Sequence, residues 1–130
     1  MTELWLSFNS DRFDSTSNLP PEANAGNRFY GRDVAEFIAD GLRSRGYRSD
    51  FLDEDWGWLV RARTPSRTKL MISIYYDIDE TAAGSWTLTV EERARPWRKR
   101  PPSEDSRLAL ESVFRDAGIA LTPTGGSTGH

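Results

Sequence analysis

The arrangement that most constrains this chain is one amphipathic helix followed closely by four β-type segments. Within residues 28–45, apolar side chains recur at spacings of three and four, which predicts a helix with one buried stripe: Tyr30, Val34, Phe37, Ile38, Gly41 and Leu42. Gly46 is the expected residue just beyond the helix end. The next segments are alternating or β-branched and predict strands over 47–52, 56–63, 69–76 and 85–91. Strands joined by such short links favour an antiparallel meander.

Elements at both ends complete the predicted fold. Leu4, Leu6 and Phe8 recur at every second position, which predicts a first strand. Ser103 resembles an N-cap before an acidic first turn, so a second amphipathic helix is expected over 104–116, and residues 119–121 are a candidate last strand. We therefore predict an α+β single domain in the order β-α-β-β-β-β-α-(β). Its mainly antiparallel sheet has four to six strands, with the two helices on one face.

The length of 130 residues fits one domain, which we assign to residues 1–121. Residues 9–26 form a long polar loop, since Pro20 and Pro21 exclude a helix there. With Asp11, Arg12 and Asp14 it is either a lid over a ligand or a surface loop without a specific role. The Gly-rich residues 122–130 are expected to be a disordered tail.

The missing residue types exclude several kinds of chemistry. The chain has no cysteine, which excludes a disulfide framework, a thiolate nucleophile and a cysteine-based zinc site. Its one histidine is the terminal His130, so a histidine general base is not expected. No nucleotide-binding or EF-hand motif is present. We therefore expect no cofactor and no metal, and binding is favoured over catalysis. No basic leader and no apolar run of bilayer length occurs, so a cytoplasmic protein that does not enter the membrane is expected.

Charge is distributed unevenly along a chain of net charge −3. The first acidic group is Asp53, Glu54 and Asp55, directly followed by Trp56 and Trp58. These residues either dock a basic partner, with the tryptophans as anchors, or form a charged turn whose tryptophans fill the core.

A second acidic group, Asp77, Asp79 and Glu80, follows the predicted strand 69–76. It extends the partner-binding hypothesis if the two groups meet in space. Paired carboxylates also suit a divalent cation or acid–base catalysis, but the sequence does not determine the distance between them.

A basic segment precedes the second helix and consists of Arg93, Arg95, Trp97, Arg98, Lys99 and Arg100. Three interpretations stay open: a solvated linker at a sheet edge, a site for an acidic protein, and a nucleic-acid site with base stacking on the tryptophan. The acidic balance of the whole chain and the lack of a known RNA-binding signature argue against nucleic acid.

Two motifs resemble a family of small bacterial proteins with no assigned activity. Those proteins pair a G-x-D-x-A-x-x-[IL]-A helix with a D-W-G-W turn and strand. The matching positions are Gly31, Asp33, Ala35, Ile38, Ala39, Asp55, Trp56, Gly57 and Trp58. The resemblance covers about residues 28–60, implies an α+β fold and transfers no catalytic residue. In size, acidity and lack of catalytic residues the chain is also similar to bacterial immunity proteins.

Two function hypotheses follow from the sequence. The first is a non-enzymatic binding protein of the immunity or inhibitor type, which engages a basic protein through the two acidic groups and the tryptophans. The alternative is a small-molecule or nucleotide-binding domain that uses the loop 9–26 and the basic segment 93–100. Partner identity and oligomeric state are not determined by the sequence.

Overall fold

Seven strands and two helices are formed by the described residues, 3–13, 31–76, 85–94 and 98–124, of a computed structural model. In chain order the elements are β1 (Leu4–Asn9), α1 (Arg32–Arg43), β2 (Arg48–Glu54), β3 (Gly57–Arg63), β4 (Lys69–Tyr76), β5 (Ser85–Ala94), β6 (Arg98–Arg100), α2 (Glu104–Arg115) and β7 (Thr122–Pro123).

The predicted α+β single domain is confirmed, while the strand count and order need correction. The sheet has seven strands rather than four to six, because residues 98–100 form an additional short strand between β5 and α2. The last strand is Thr122–Pro123 and not 119–121, so it lies within the stretch assigned to the tail. Both differences arise because the pairing partner, and not local periodicity, makes such short segments into strands.

The sheet is antiparallel throughout, in the order β2-β3-β4-β5-β1-β7. Strands β2 to β5 form the predicted meander. The first strand then lies beside β5, where Leu4 is opposite Val90 and Asn9 is opposite Ser85. The short strand β6 pairs with the remaining part of β5, from Glu92 to Ala94. One edge of β5 therefore meets β4, and the other is shared by β1 and β6.

Both helices pack on the same face of the sheet. Alternate strand residues point to this face and are almost fully buried, among them Trp86, Leu88, Ile72 and Ile74. The helices contribute the apolar stripes predicted from their periodicity, and α2 places Phe114 with its ring centroid 4.9 Å from that of Phe8. We call the opposite side of the sheet the open face, since no helix among the described residues packs on it.

Two glycines allow α1 to approach its neighbours closely. Gly31 has φ +130, and a Cβ there would be 3.1 Å from the Trp58 ring. A Cβ on Gly41 would be 2.5 Å from a methyl of Val113 on α2, so the two helices touch at a position that only glycine fits. The helix itself is shorter than the predicted 28–45. It spans Arg32–Arg43, and residues 28–30 lie outside the described part.

Candidate functional site

A line of five cations crosses the open face at one end of the sheet. Strand register places Arg48 opposite Arg63, Arg63 opposite Lys69, Lys69 opposite Arg93 and Arg93 opposite Lys99. Directly opposite residues of antiparallel strands share a face, so the five side chains stand side by side. We call this set the basic row. With strands about 4.8 Å apart, its four gaps span about 19 Å.

Nearby carboxylates neutralise only part of this charge. Asp50, in the next line of residues along the strands, binds Arg61 through a fork of two hydrogen bonds of 2.9 and 3.0 Å. Glu91 pairs with Arg93 at 3.2 Å. In contrast, Arg48, Arg63 and Lys99 are exposed and form no ion pair with any described residue. At these three positions the basic row therefore presents positive charge that is not paired with a described carboxylate.

The end of the sheet that carries the basic row is concave. An open depression of about 890 Å³ lies there, and its lining includes Arg48, Arg63, Lys69 and Arg93. Arg43, at the C-terminal end of α1, borders the same depression and donates a hydrogen bond of 2.9 Å to the backbone carbonyl of Ser49. Six cations and one carboxylate, Asp50, thus line a hollow that is open to solvent.

A buried carboxylate holds the strands together beneath the basic row. The side chain of Glu92 is 1% exposed and points to the helix face. It accepts hydrogen bonds from the Thr68 hydroxyl at 2.7 Å, from Arg100 at 3.0 Å and from the backbone N–H of Ser103 at 3.0 Å. The Thr64 hydroxyl lies 2.6 Å from that of Thr68 and extends the network. The β3–β4 turn, β5, β6 and the start of α2 are therefore joined at one group.

This hydrogen-bond network and the basic row lie on opposite faces of the same end of the sheet. Thr64 follows Arg63, Thr68 precedes Lys69, Glu92 precedes Arg93, and Arg100 follows Lys99. Because successive strand residues point to opposite faces, each hydrogen-bonding group holds the backbone directly behind a cation of the row. The β3–β4 turn, β5 and β6 are thus joined behind four of the five cations, whereas β2, which carries Arg48, has no residue in the network.

Glu92 remains ionised in spite of its burial. Desolvation by itself would raise the pKa of a buried carboxyl. The hydrogen bonds from Ser103, Thr68 and Arg100, together with one from Ser106, outweigh it, so the pKa of Glu92 is lowered. The carboxylate therefore supplies a fixed negative charge beneath the basic row.

The first acidic group lies at the opposite end of the strands. Asp53 and Glu54 end β2, and the tight turn is Asp55-Trp56 rather than the predicted 53–55. Trp58 is 5% exposed and belongs to the core, so its ring has no surface to offer a partner. Trp56 is 37% exposed, and its ring centroid is 5.4 Å from that of Tyr75, which is 36% exposed. Burial is the main cause that raises the pKa of Tyr75.

The other predicted site residues are only partly brought together. Asp77, Asp79 and Glu80 lie outside the described residues, so the meeting of the two acidic groups stays a prediction. Arg95, Trp97 and most of the loop 9–26 also lie outside the described residues. At the described start of that loop, the Arg12 guanidinium stacks over the Phe37 ring at 4.8 Å and Phe13 is buried.

The structure divides the predicted basic segment between the two sides of the sheet. Arg93 and Lys99 belong to the basic row, whereas Arg98 and Arg100 pair in register with Ala94 and Glu92 on the helix side. The expected solvated linker is therefore partly a strand. Arg48, Arg63 and Lys69 were not predicted as site residues, because they are far apart in the chain. The available signal was the position of Arg63 and Lys69 on either side of one short hairpin turn.

Comparison with known proteins finds no match: no family model matches the chain, and neither does any curated protein or solved structure. The described helices are all too short or too polar to cross a membrane. Within the same described residues, no cluster of three or more His, Cys, Asp or Glu side chains is arranged to hold a metal ion.

Proposed function

We propose that this chain is a non-enzymatic binding protein whose open face docks an anionic partner on the basic row. The observation that carries the proposal is the register of five cations on five adjacent strands. Like charges placed directly opposite one another destabilise a sheet, so the row lowers the stability of the unbound protein. An anion that binds across it would remove this repulsion and gain several ion pairs at once.

The supporting features favour binding over catalysis. The row lies on sheet strands and is backed by the Glu92 network, so its side chains start from a rigid backbone, which lowers the entropic cost of binding. Arg48 and Arg63 offer guanidinium groups that match carboxylate or phosphate oxygens two at a time. None of the described residues is a histidine, so the described part of the chain offers the row no histidine base for acid–base chemistry.

Titration of the full chain with a labelled linear polyanion such as heparin tests the proposal. We expect binding that weakens steeply with salt, and an affinity loss of about tenfold or more for Arg63→Glu, which reverses the charge at the row. Arg32→Glu is the matched control, because Arg32 is exposed and begins α1 at the other end of the sheet, next to Gly31 and Trp58. If both variants bind as the wild type does, the row is not the site.

A second candidate function keeps the hypothesis of a basic partner. Its support is the exposed Trp56–Tyr75 ring pair at the turn that begins with the exposed Asp55, because aromatic rings next to acidic groups are typical anchors for Arg and Lys side chains. An immunity- or inhibitor-type protein would use such a surface. Titration with an Arg-rich peptide should show weaker binding for Trp56→Ala and for Asp55→Asn than for the wild type. Equal binding by all three proteins would eliminate this candidate.

A further inference from the structure

We infer that the ligand of the basic row is an Asp- and Glu-rich segment of a protein, bound across the strands of the open face. This inference rests on the proposed function and specifies the partner. Three properties of the open face support it: the width of the positive strip, the position of the exposed aromatic rings, and the side chains in the lines next to the row.

The positive strip is only one residue wide. The next line of residues along the strands is mixed in charge and consists of Asp50, Arg61, Met71 and Glu91. The line after it carries no charge and consists of Leu52, Leu59, Ser73, Thr89 and Trp5. A duplex nucleic acid presents two charged strands, and in the next line the second strand would find one cation, Arg61, which is already paired with Asp50. The strip therefore fits a single linear chain of negative charges.

A single-stranded nucleic acid also needs rings on which its bases can stack. Among the described residues, the exposed aromatic side chains are Trp56 and Tyr75, and they pack against each other. Tyr75 is six residues beyond Lys69 on β4, about 20 Å from the basic row. The described residues next to the row thus offer phosphate contacts without a stacking ring, and Trp97, the stacking residue expected from the sequence, lies outside the described residues.

The side chains in the two lines next to the row fit a protein partner better than a nucleic acid. Asp50 and Glu91 would repel a chain on which every unit is negative, whereas a protein segment can place a neutral or basic side chain opposite them. Leu52, Leu59 and Met71 are half-buried and apolar, which suits contact with the apolar side chains that flank acidic residues in a protein. Charged groups around a partly apolar centre are the usual composition of a protein–protein interface.

The length of the row defines the size of the segment. In an extended chain, side chains on the same side recur every 6.6 Å or so, so four acidic residues at alternate positions span about 20 Å. This length equals the span of about 19 Å estimated for the row. The expected ligand is therefore an extended segment of about seven residues with Asp or Glu at every second position.

Fluorescence anisotropy with the full chain at low salt tests this inference. The probe is a labelled peptide of about seven residues that alternates Glu and Ser, compared with the same peptide carrying Gln for Glu and with a single-stranded oligonucleotide of equal net charge. We expect the Glu peptide to bind about tenfold or more tightly than either comparison probe. Arg63→Glu should abolish this preference, while Arg32→Glu should keep it. Circular dichroism confirms that both variants fold.

The outcomes separate this inference from the proposed function. Tighter binding of the oligonucleotide than of the Glu peptide would overturn the inference and assign the row to nucleic acid. Binding of heparin without any preference for Glu over Gln in the peptides would also overturn it, while the proposed anion site would stand. If neither heparin nor any of these probes binds, both proposals fail.

Discussion

Removal of one charge from the centre of the basic row should stabilise the protein. Arg63 lies between Arg48 and Lys69, is exposed, and forms no ion pair with a described residue. Truncation of an exposed side chain is usually neutral or slightly destabilising. For Arg63→Gln we expect the opposite, because the substitution removes two like-charge contacts and keeps most of the side-chain length.

The size of this effect follows from the strand register. Directly opposite residues have Cβ atoms about 5 Å apart, so the charged groups are about 6 Å apart. At that distance two like charges in water repel by about 0.7 kcal/mol. Screening reduces this to about 0.6 kcal/mol at 0.01 M salt and about 0.3 kcal/mol at 0.15 M. With two neighbours, Arg63→Gln should raise the free energy of unfolding by about 1 kcal/mol at low salt and by about half as much at 0.15 M.

Urea unfolding of the wild type and the variant at both salt concentrations measures the effect, and thermal unfolding should show a rise of about 4 °C at low salt. Arg61→Gln is the matched control on the same strand and face. In the wild type, Arg61 donates two hydrogen bonds to Asp50, and this contact is the main cause that raises the pKa of Arg61. The variant loses this contact. This control should therefore lower the free energy of unfolding by about 0.2–1 kcal/mol.

Either of two outcomes for Arg63→Gln would contradict this expectation. If Arg63→Gln destabilises the protein, or if its stabilisation is the same at 0.01 M and 0.15 M salt, then charge repulsion does not act in the row. The proposal that an anion relieves this repulsion would then lose its physical basis.

Three further predictions concern the elements that support the site. Glu92→Gln should destabilise the protein by about 2 kcal/mol at neutral pH, since hydrogen bonds to a buried charge weaken. Because the pKa of Glu92 is lowered, its stabilisation is present above the unfolded value of about 4.3 and is lost as pH falls through the folded value; acid unfolding of wild type and variant should therefore converge at low pH. Gly41→Ala should destabilise by about 1–3 kcal/mol through a clash with Val113, and Val113→Ala should be less harmful in that background than alone, as a double-mutant cycle would show. Ser103→Ala removes the cap bond to the Ser106 N–H and should cost about 1 kcal/mol in urea unfolding.

Local pattern predicted the elements with strong periodicity. The stripe that contains Val34, Ile38 and Leu42 is buried as expected in α1, and Ser103 caps α2. Such patterns are readable because a helix or strand buries one face regardless of its partner. The strand β6 and the turn at Asp55-Trp56 were not predicted correctly, since both depend on pairing with another strand.

The candidate site was predictable only in fragments. Arg93 and Lys99 drew attention because they belong to a dense basic segment, whereas Arg48, Arg63 and Lys69 are single charges in three different strands. Trp58 illustrates the reverse case: its place beside acidic residues left both a surface anchor and a core residue open, and the alternation of β3 turns it into the core. Residues that form a line perpendicular to the strands are far apart in the sequence, so no local pattern indicates that they meet.

The sequence alone determined the class of fold, because amphipathic periodicity and turn residues act over a few neighbours. It also determined the supply of charged groups and the lack of cysteine and of any histidine other than His130. Tertiary structure alone decided where the charges meet. Register between strands sets which residue is opposite which, and a shift of any one strand by one position would move its cation to the other face. The basic row therefore exists only in the assembled sheet, with Glu92 joining the β3–β4 turn, β5 and β6 from behind.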